Sequence, residues 1–193
     1  MIRTLKEPLA IVTIMFWSAI PVFWIPVHAA ANFSKKLGPL AYLLSGAIWL
    51  PLAYLIYHQR SLILAYKMDV PPILYIPGLI LFAAGMILHL WTIRLLGIGI
   101  IGIPEVFSRI TNTLVTRGPF LVVRHPTYLA HTLIFSGVFL TTGVIAVGII
   151  TLLDLVTVNT VIIPLEEKEL TTRFGEDYER YRKKVTSRFF PGF

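Results

Sequence analysis

Cysteine is absent from the 193 residues, which excludes a disulfide, a thiolate metal site and a cysteine nucleophile. Charge is scarce as well. Only 14% of residues are Asp, Glu, Lys or Arg, where soluble domains carry roughly a quarter. Acidic side chains are the scarcer kind, 10 against 17 basic, for a net charge of +7. There is no internal repeat and no low-complexity tract. The five histidines show no metal-ligand spacing, so no metal is expected. Arg3 and Lys6 precede an apolar run without a small-residue cleavage site behind it, so this run is expected to be retained as a helix. What the chain has in excess is apolar: 56% of residues and a mean hydropathy of +0.77. Every uncharged stretch must therefore be tested as a bilayer span.

Three stretches meet the requirement of about 20 apolar residues: Pro8 to Phe33, Leu37 to Tyr57, and Val70 to Ile93. From Arg94 to Pro126 the pattern is mixed, with Gly97, Gly99, Gly102 and Pro104 ending the helix. A loop of that length is expected to be functional. Hydrophobicity resumes from Tyr128 to Leu165, with Thr141-Thr142-Gly143 as a turn near the middle. A helical hairpin fits, with room for one arm to be short. The prediction is an all-α integral membrane protein of about five transmembrane helices. Residues 1–96 hold the three N-terminal spans, and 97–193 hold the loop, the hairpin and a charged tail. Five spans place thirteen Lys or Arg on the side of the loop and tail and four on the other. The basic side is expected to be cytoplasmic, with the N-terminus outside or lumenal. Because the basic residues border spans or sit in the tail, anionic membrane lipid is the expected partner for them, and nucleic acid is not.

Two polar clusters fall on that basic side. Thr113-Leu114-Val115-Thr116-Arg117-Gly118-Pro119-Phe120 continues to Arg124-His125-Pro126-Thr127-Tyr128. Proline at the first helical position leaves His125 extended ahead of the hairpin. Unpaired N–H groups, an imidazole and a guanidinium there suit a carboxylate or phosphate; spacing alone does not separate this from a histidine capping a membrane helix. The second cluster, Glu166-Glu167-Lys168-Glu169, follows Pro164, where a new helix is expected to start. Leu170, Phe174, Tyr178, Tyr181 and Val185 then form an apolar stripe at helical spacing. Glu169 and Arg173, four apart, read as a surface ion pair. Carboxylates across from a histidine and arginines could hold a zwitterion by both ends.

Gly118-Pro119-Phe120, Arg124-His125-Pro126-Thr127-Tyr128, Glu166-Glu167, Phe174-Gly175 with Tyr178 and Tyr181, and Arg188-Phe189-Phe190-Pro191 together resemble the isoprenylcysteine carboxyl methyltransferase family. They also resemble the wider group that includes phospholipid N-methyltransferases. The likeness covers roughly residues 100 to 193. It implies a C-terminal amphipathic helix that closes over S-adenosylmethionine (SAM), leaving S-adenosylhomocysteine as product. By position, Thr113, Leu114, Val115 and Phe120 would line the nucleoside, with Glu105 a further contact. His125, Pro126, Thr127 and Tyr128 would hold the methionine carboxylate region, and Glu166 its ammonium. Phe120 stands where tyrosine is common, Ala130 where glycine is usual, and Ile162 where animal members carry arginine.

The activity implied is methylation of the carboxylate of a lipid-tailed substrate, such as a C-terminal prenylcysteine, that enters from the bilayer. Such an acceptor is already ionised near neutral pH and requires no base. Arg173 would orient it, and Glu167 would position Arg173 or the sulfonium. The alternative is N-methylation of an amine-bearing lipid, with Glu167 as base. A small transporter or interaction module is a third reading, disfavoured by the lack of repeated broken spans. Gly97-Ile98-Gly99-Ile100-Ile101-Gly102 matches a dinucleotide glycine pattern but follows a membrane helix instead of a strand, and is set aside. His89 and Asp154 lie within spans and could pair with each other.

Overall fold

A computed structural model describes residues 2–97 and 113–190. Among these the chain is all-α: α1 (Ile2–Ala29), α2 (Ala31–Leu37), α3 (Leu40–His58), α4 (Arg60–Ala65), α5 (Tyr75–Leu96), α6 (Pro126–Thr142), α7 (Ile145–Thr157), α8 (Ile163–Phe174) and α9 (Glu176–Lys184). Among the described residues, four helical stretches are long and apolar enough to cross a membrane: Leu5–Ala29, Leu40–His58, Pro72–Leu96 and Ile145–Phe174. The fifth rod, α6, has 17 residues and is the short arm of the expected hairpin. The helices differ in what they face. Leu43, Ile48 and Leu50 of α3 and Ile76, Ile80 and Ile87 of α5 are exposed, as lipid-facing side chains must be. Ten positions of α6 are buried, because α1, α5 and α7 pack around it.

Small residues set the closest of these contacts. A Cβ on Gly137 would lie 2.5 Å from the Phe82 nitrogen and 2.6 Å from the Gly78 carbonyl. One on Gly85 would lie 2.8 Å from the Ala130 carbonyl. Glycines facing one another let two backbones approach where lipid supplies no hydrophobic drive. A polar tie adds to this, since Trp49 Nε1 of α3 donates to Met15 O and Ser18 Oγ of α1, both at 3.1 Å.

The connections sort onto two ends of the bundle. At one end Glu7 pairs with Lys67 at 2.8 Å, Lys6 lies over the Tyr75 ring, and Met68 N donates to Gly143 O at 2.7 Å. At the other, Lys35 of α2 reaches Glu169 of α8 at 3.6 Å, and residues 124–125 pair with 187–188. The helix start expected at Pro164 does not occur. The chain runs helically through a π-turn, Val158–Ile162, in which Ile163 N–H donates to Val158 O. A proline ring collides with the carbonyl four residues back in an α-helix, and the wider turn lets Pro164 follow without a break. Of the roles open to His89 and Asp154 in the sequence, pairing with each other is not seen among the described residues. The His89 ring lies 5.0 Å from that of His131, while Asp154 neighbours Trp17.

Candidate active site

The site grows from the start of α6. Pro126 occupies the first turn and leaves His125 outside the helix at φ −123° and ψ 60°. Two backbone bonds then fix this stretch: Arg124 N to Ser187 O at 3.0 Å and His125 N to Arg188 O at 3.1 Å. A short segment after α9 is thereby laid across the residues that precede α6. Arg124 reinforces it, since Nη1 donates to Val185 O at 2.8 Å and Thr186 O at 2.6 Å.

Glu167 lies at the centre. Its Oε1 accepts from Arg124 Nε at 3.0 Å and lies 3.2 Å from His125 Nε2. Its Oε2 accepts from Arg188 Nη2 at 2.7 Å and Nε at 3.2 Å. Glu166 stands beside the other imidazole nitrogen, with Oε2 3.4 Å from His125 Nδ1, and it also neighbours His28 of α1 and Tyr128. The His125 ring stacks near that of Tyr128, centroids 5.9 Å apart. Burial by itself would lower the pKa of His125. Hydrogen bonds and charge from Glu166 and Glu167 outweigh it, so the value is raised and the imidazolium is favoured.

A second wall is apolar. Phe120, Tyr178, Tyr181 and Val185 form one buried cluster, with Leu114, Val115, Leu170 and Phe174 packed against it. The stripe on the tail thus meets the segment that follows the long loop, although Gly175, at φ 53°, breaks it between α8 and α9. Tyr181 Oη donates to Phe120 O at 2.8 Å. Burial pushes the phenols of Tyr178 and Tyr181 up, keeping both protonated. The Tyr178 hydroxyl is buried without a hydrogen-bond partner among the described residues. Gly118, at φ 61°, fits where a Cβ would strike Leu95 at 2.9 Å.

Beside this site a cleft of about 490 Å³ opens between α1–α2 and α8, lined by His28, Lys35, Lys168, Glu169 and Arg173 among others. Glu167 was expected to position either Arg173 or the sulfonium; among the described residues Arg173 pairs with Glu169, at 3.3 Å. The reason is that Glu167 already has Arg124, His125 and Arg188 around it. Nor is Glu169–Arg173 a surface pair, for the two side chains are 6% and 11% exposed.

Of the residues singled out in the sequence, His125, Pro126, Tyr128, Glu166 and Glu167 come together, with Thr127 on the same first turn. Leu114, Val115 and Phe120 line the neighbouring apolar wall, and Thr113, exposed, precedes them. Glu105 lies outside the described residues. Arg188, Tyr178, Tyr181 and His28 were given no site role from sequence. Arg188 stood within a recognised motif, and His28 is an ionisable residue near the end of a span, which is a signal in itself. No cluster of three His, Asp or Glu that could hold a metal occurs among the described residues.

A family model of phospholipid methyltransferases matches residues 73–177, from the start of α5 through α8 and into α9. The match reaches the wider group, without singling out the isoprenylcysteine branch. No curated protein matches the chain, and no solved structure does. Since the match spans more than half of the sequence and contains both polar clusters, the chain belongs to the phospholipid methyltransferase family.

Proposed function

We propose that this protein transfers a methyl group from SAM to the headgroup of a lipid held in the bilayer, and that the acceptor is an amine-bearing phospholipid. The observation that carries the reading is the joining of the two site walls. Leu114, Val115 and Phe120 share a cluster with Tyr178 and Tyr181, while His125 and Glu166 stand in contact beside it. An apolar wall with a buried Tyr178 hydroxyl that has no hydrogen-bond partner among the described residues suits a nucleoside. A histidine and a carboxylate next to it suit an amino acid's two charged ends. Thr113, Leu114, Val115 and Phe120, with Glu105, would hold the adenosine; His125, Pro126, Thr127 and Tyr128 the carboxylate; Glu166 the ammonium.

When bound, SAM supplies a methyl group on a positively charged sulfur. The chain's own task is alignment and exclusion of water. The Arg124–Glu167–Arg188 cluster holds the tail segment down over the start of α6. Residues 97–193 supply the catalytic groups on this reading, and the basic end faces the cytoplasm. The family match favours a phospholipid acceptor. A second reading, methylation of a lipid-tailed carboxylate such as prenylcysteine, draws on the Lys35, Lys168 and Arg173 side chains around the cleft.

The test is transfer of labelled methyl from SAM to phosphatidylethanolamine and, in parallel, to farnesylcysteine, using purified protein in lipid nanodiscs. Base-stable label in the phospholipid is the expected result. Base-labile label released as methanol from farnesylcysteine would move the assignment to the carboxyl reading. No transfer and no binding of S-adenosylhomocysteine would sink both.

A further inference from the structure

His28 is a titratable group that neither the sequence motifs nor the proposed donor site absorbs. It stands in the last turn of α1 and is only 7% exposed. Both of its ring nitrogens are buried without a hydrogen-bond partner among the described residues. An imidazole in that condition is costly unless something else meets it. It lines the cleft between α1–α2 and α8, and Glu166 neighbours both it and His125. The cleft therefore adjoins the proposed donor site at His28.

The rest of the lining has the chemistry of a phospholipid headgroup site. Among the described residues of the lining, Lys35, Lys168 and Arg173 stand with one acidic residue, Glu169. Both Lys35 and Arg173 lean on that carboxylate, and Lys168 adds a third cationic side chain that suits a phosphate. Phe33 and Leu165 give it apolar sides.

Resting on the methyltransfer reading above, we propose that this cleft receives the phosphate-bearing headgroup of the amino-lipid acceptor, with His28 taking the proton its amine must lose. An ammonium has no lone pair with which to attack. One N–H proton passes to an imidazole nitrogen of His28. The freed lone pair forms the N–C bond to the donor's methyl carbon as the C–S bond breaks, and sulfur keeps the electron pair. The products are a methylated ammonium and a neutral thioether, and the imidazolium returns its proton to water at the cleft mouth. Glu167, expected from sequence to be the base, is unsuited to it because two arginines and His125 already hold its oxygens. The catalytic set thereby extends into the first span. The charged and titratable groups facing His28 are Glu166 and Arg173 from α8 and His125 ahead of α6, with Lys35, Lys168 and Glu169 around the same cleft.

The experiment compares wild type, His28→Gln and Lys168→Glu in nanodiscs, with three readouts: S-adenosylhomocysteine affinity, retention of phosphatidylethanolamine by native mass spectrometry, and kcat against pH. His28→Gln is expected to keep both binding events, lose roughly 10²-fold or more in kcat, and lose the acid limb of the pH profile. Lys168→Glu is expected to retain phosphatidylethanolamine about tenfold less well. An active wild type with an equally active His28→Gln overturns this inference and leaves the methyltransferase reading standing. A wild type that binds S-adenosylhomocysteine but methylates no amine lipid overturns the amine reading and, with it, the role of His28. Should His28→Gln lose cofactor binding through misfolding, unchanged lipid retention in Lys168→Glu still overturns the cleft assignment.

Discussion

Arg188 places Nη2 2.7 Å and Nε 3.2 Å from one oxygen of Glu167, while Arg124 holds the other at 3.0 Å. The carboxylate joins the residue before α6, the body of α8 and the segment after α9. Glu167→Ala should therefore be far more damaging than either arginine change, because it strands His125 and two guanidiniums together. A loss of about 3 kcal/mol or more is expected. Arg188→Ala, at a partly exposed position, should cost about 1 kcal/mol. Thermal unfolding in detergent orders the two; equal effects would contradict a central role for Glu167.

Stability should also fall at alkaline pH through His125. Its folded pKa lies above the ordinary value of 6.5, so the folded state binds the proton more tightly than the unfolded chain. That contribution is complete below about 6.5 and is lost as pH rises through the raised folded value. Melting temperature against pH should show this decline in wild type. His125→Gln should flatten it.

The α5–α6 contact admits no side chain at Gly137. Because the obstacles there are the Phe82 nitrogen and the Gly78 carbonyl, even Gly137→Ala must move backbone, at about 1–3 kcal/mol. Gly46→Ala of α3 has nothing within 4 Å of the new Cβ and should stay within about 0.5 kcal/mol of wild type. Folded yield and melting temperature of the two variants check the contrast.

Much of this was legible in the sequence, and the reasons differ by residue. The spans were legible because their apolar runs have few competing explanations. His125, Glu166 and Glu167 were legible as types in an order, and the structure brings them into contact. Arg188 was visible within a motif, but no spacing rule reveals that residues 187–188 return to pair with 124–125. Glu169 and Arg173 looked like a solvated i, i+4 pair, yet both are buried and Lys35 of α2 reaches Glu169. Pro164 looked like a helix start because proline usually is one, and a π-turn removes the clash that would make it so.

The absence of cysteine makes topology directly measurable, since any introduced thiol is the chain's single one. Lys36→Cys and Lys184→Cys should react with an impermeant maleimide from the same face of a sealed vesicle, and Gln59→Cys from the opposite face. Labelling of Lys36→Cys and Gln59→Cys from one face would contradict the two-ended arrangement of the loops.

The π-turn at Val158–Ile162 also fixes an angular phase. Each residue of an α-helix turns the face by about 100°, and a widened turn holds one more residue than an α-turn would. The membrane half of this long helix and its polar half are therefore clocked against each other by residue count. Deleting one residue between Thr157 and Ile163 would leave hydrophobicity and length almost unchanged. It would close the wide turn into an ordinary α-turn, leave Glu166 and Glu167 near their present phase, and drive the ring of Pro164 against the carbonyl four residues back. Along this stretch the chain should tolerate exchange of one apolar residue for another far better than a change in their number.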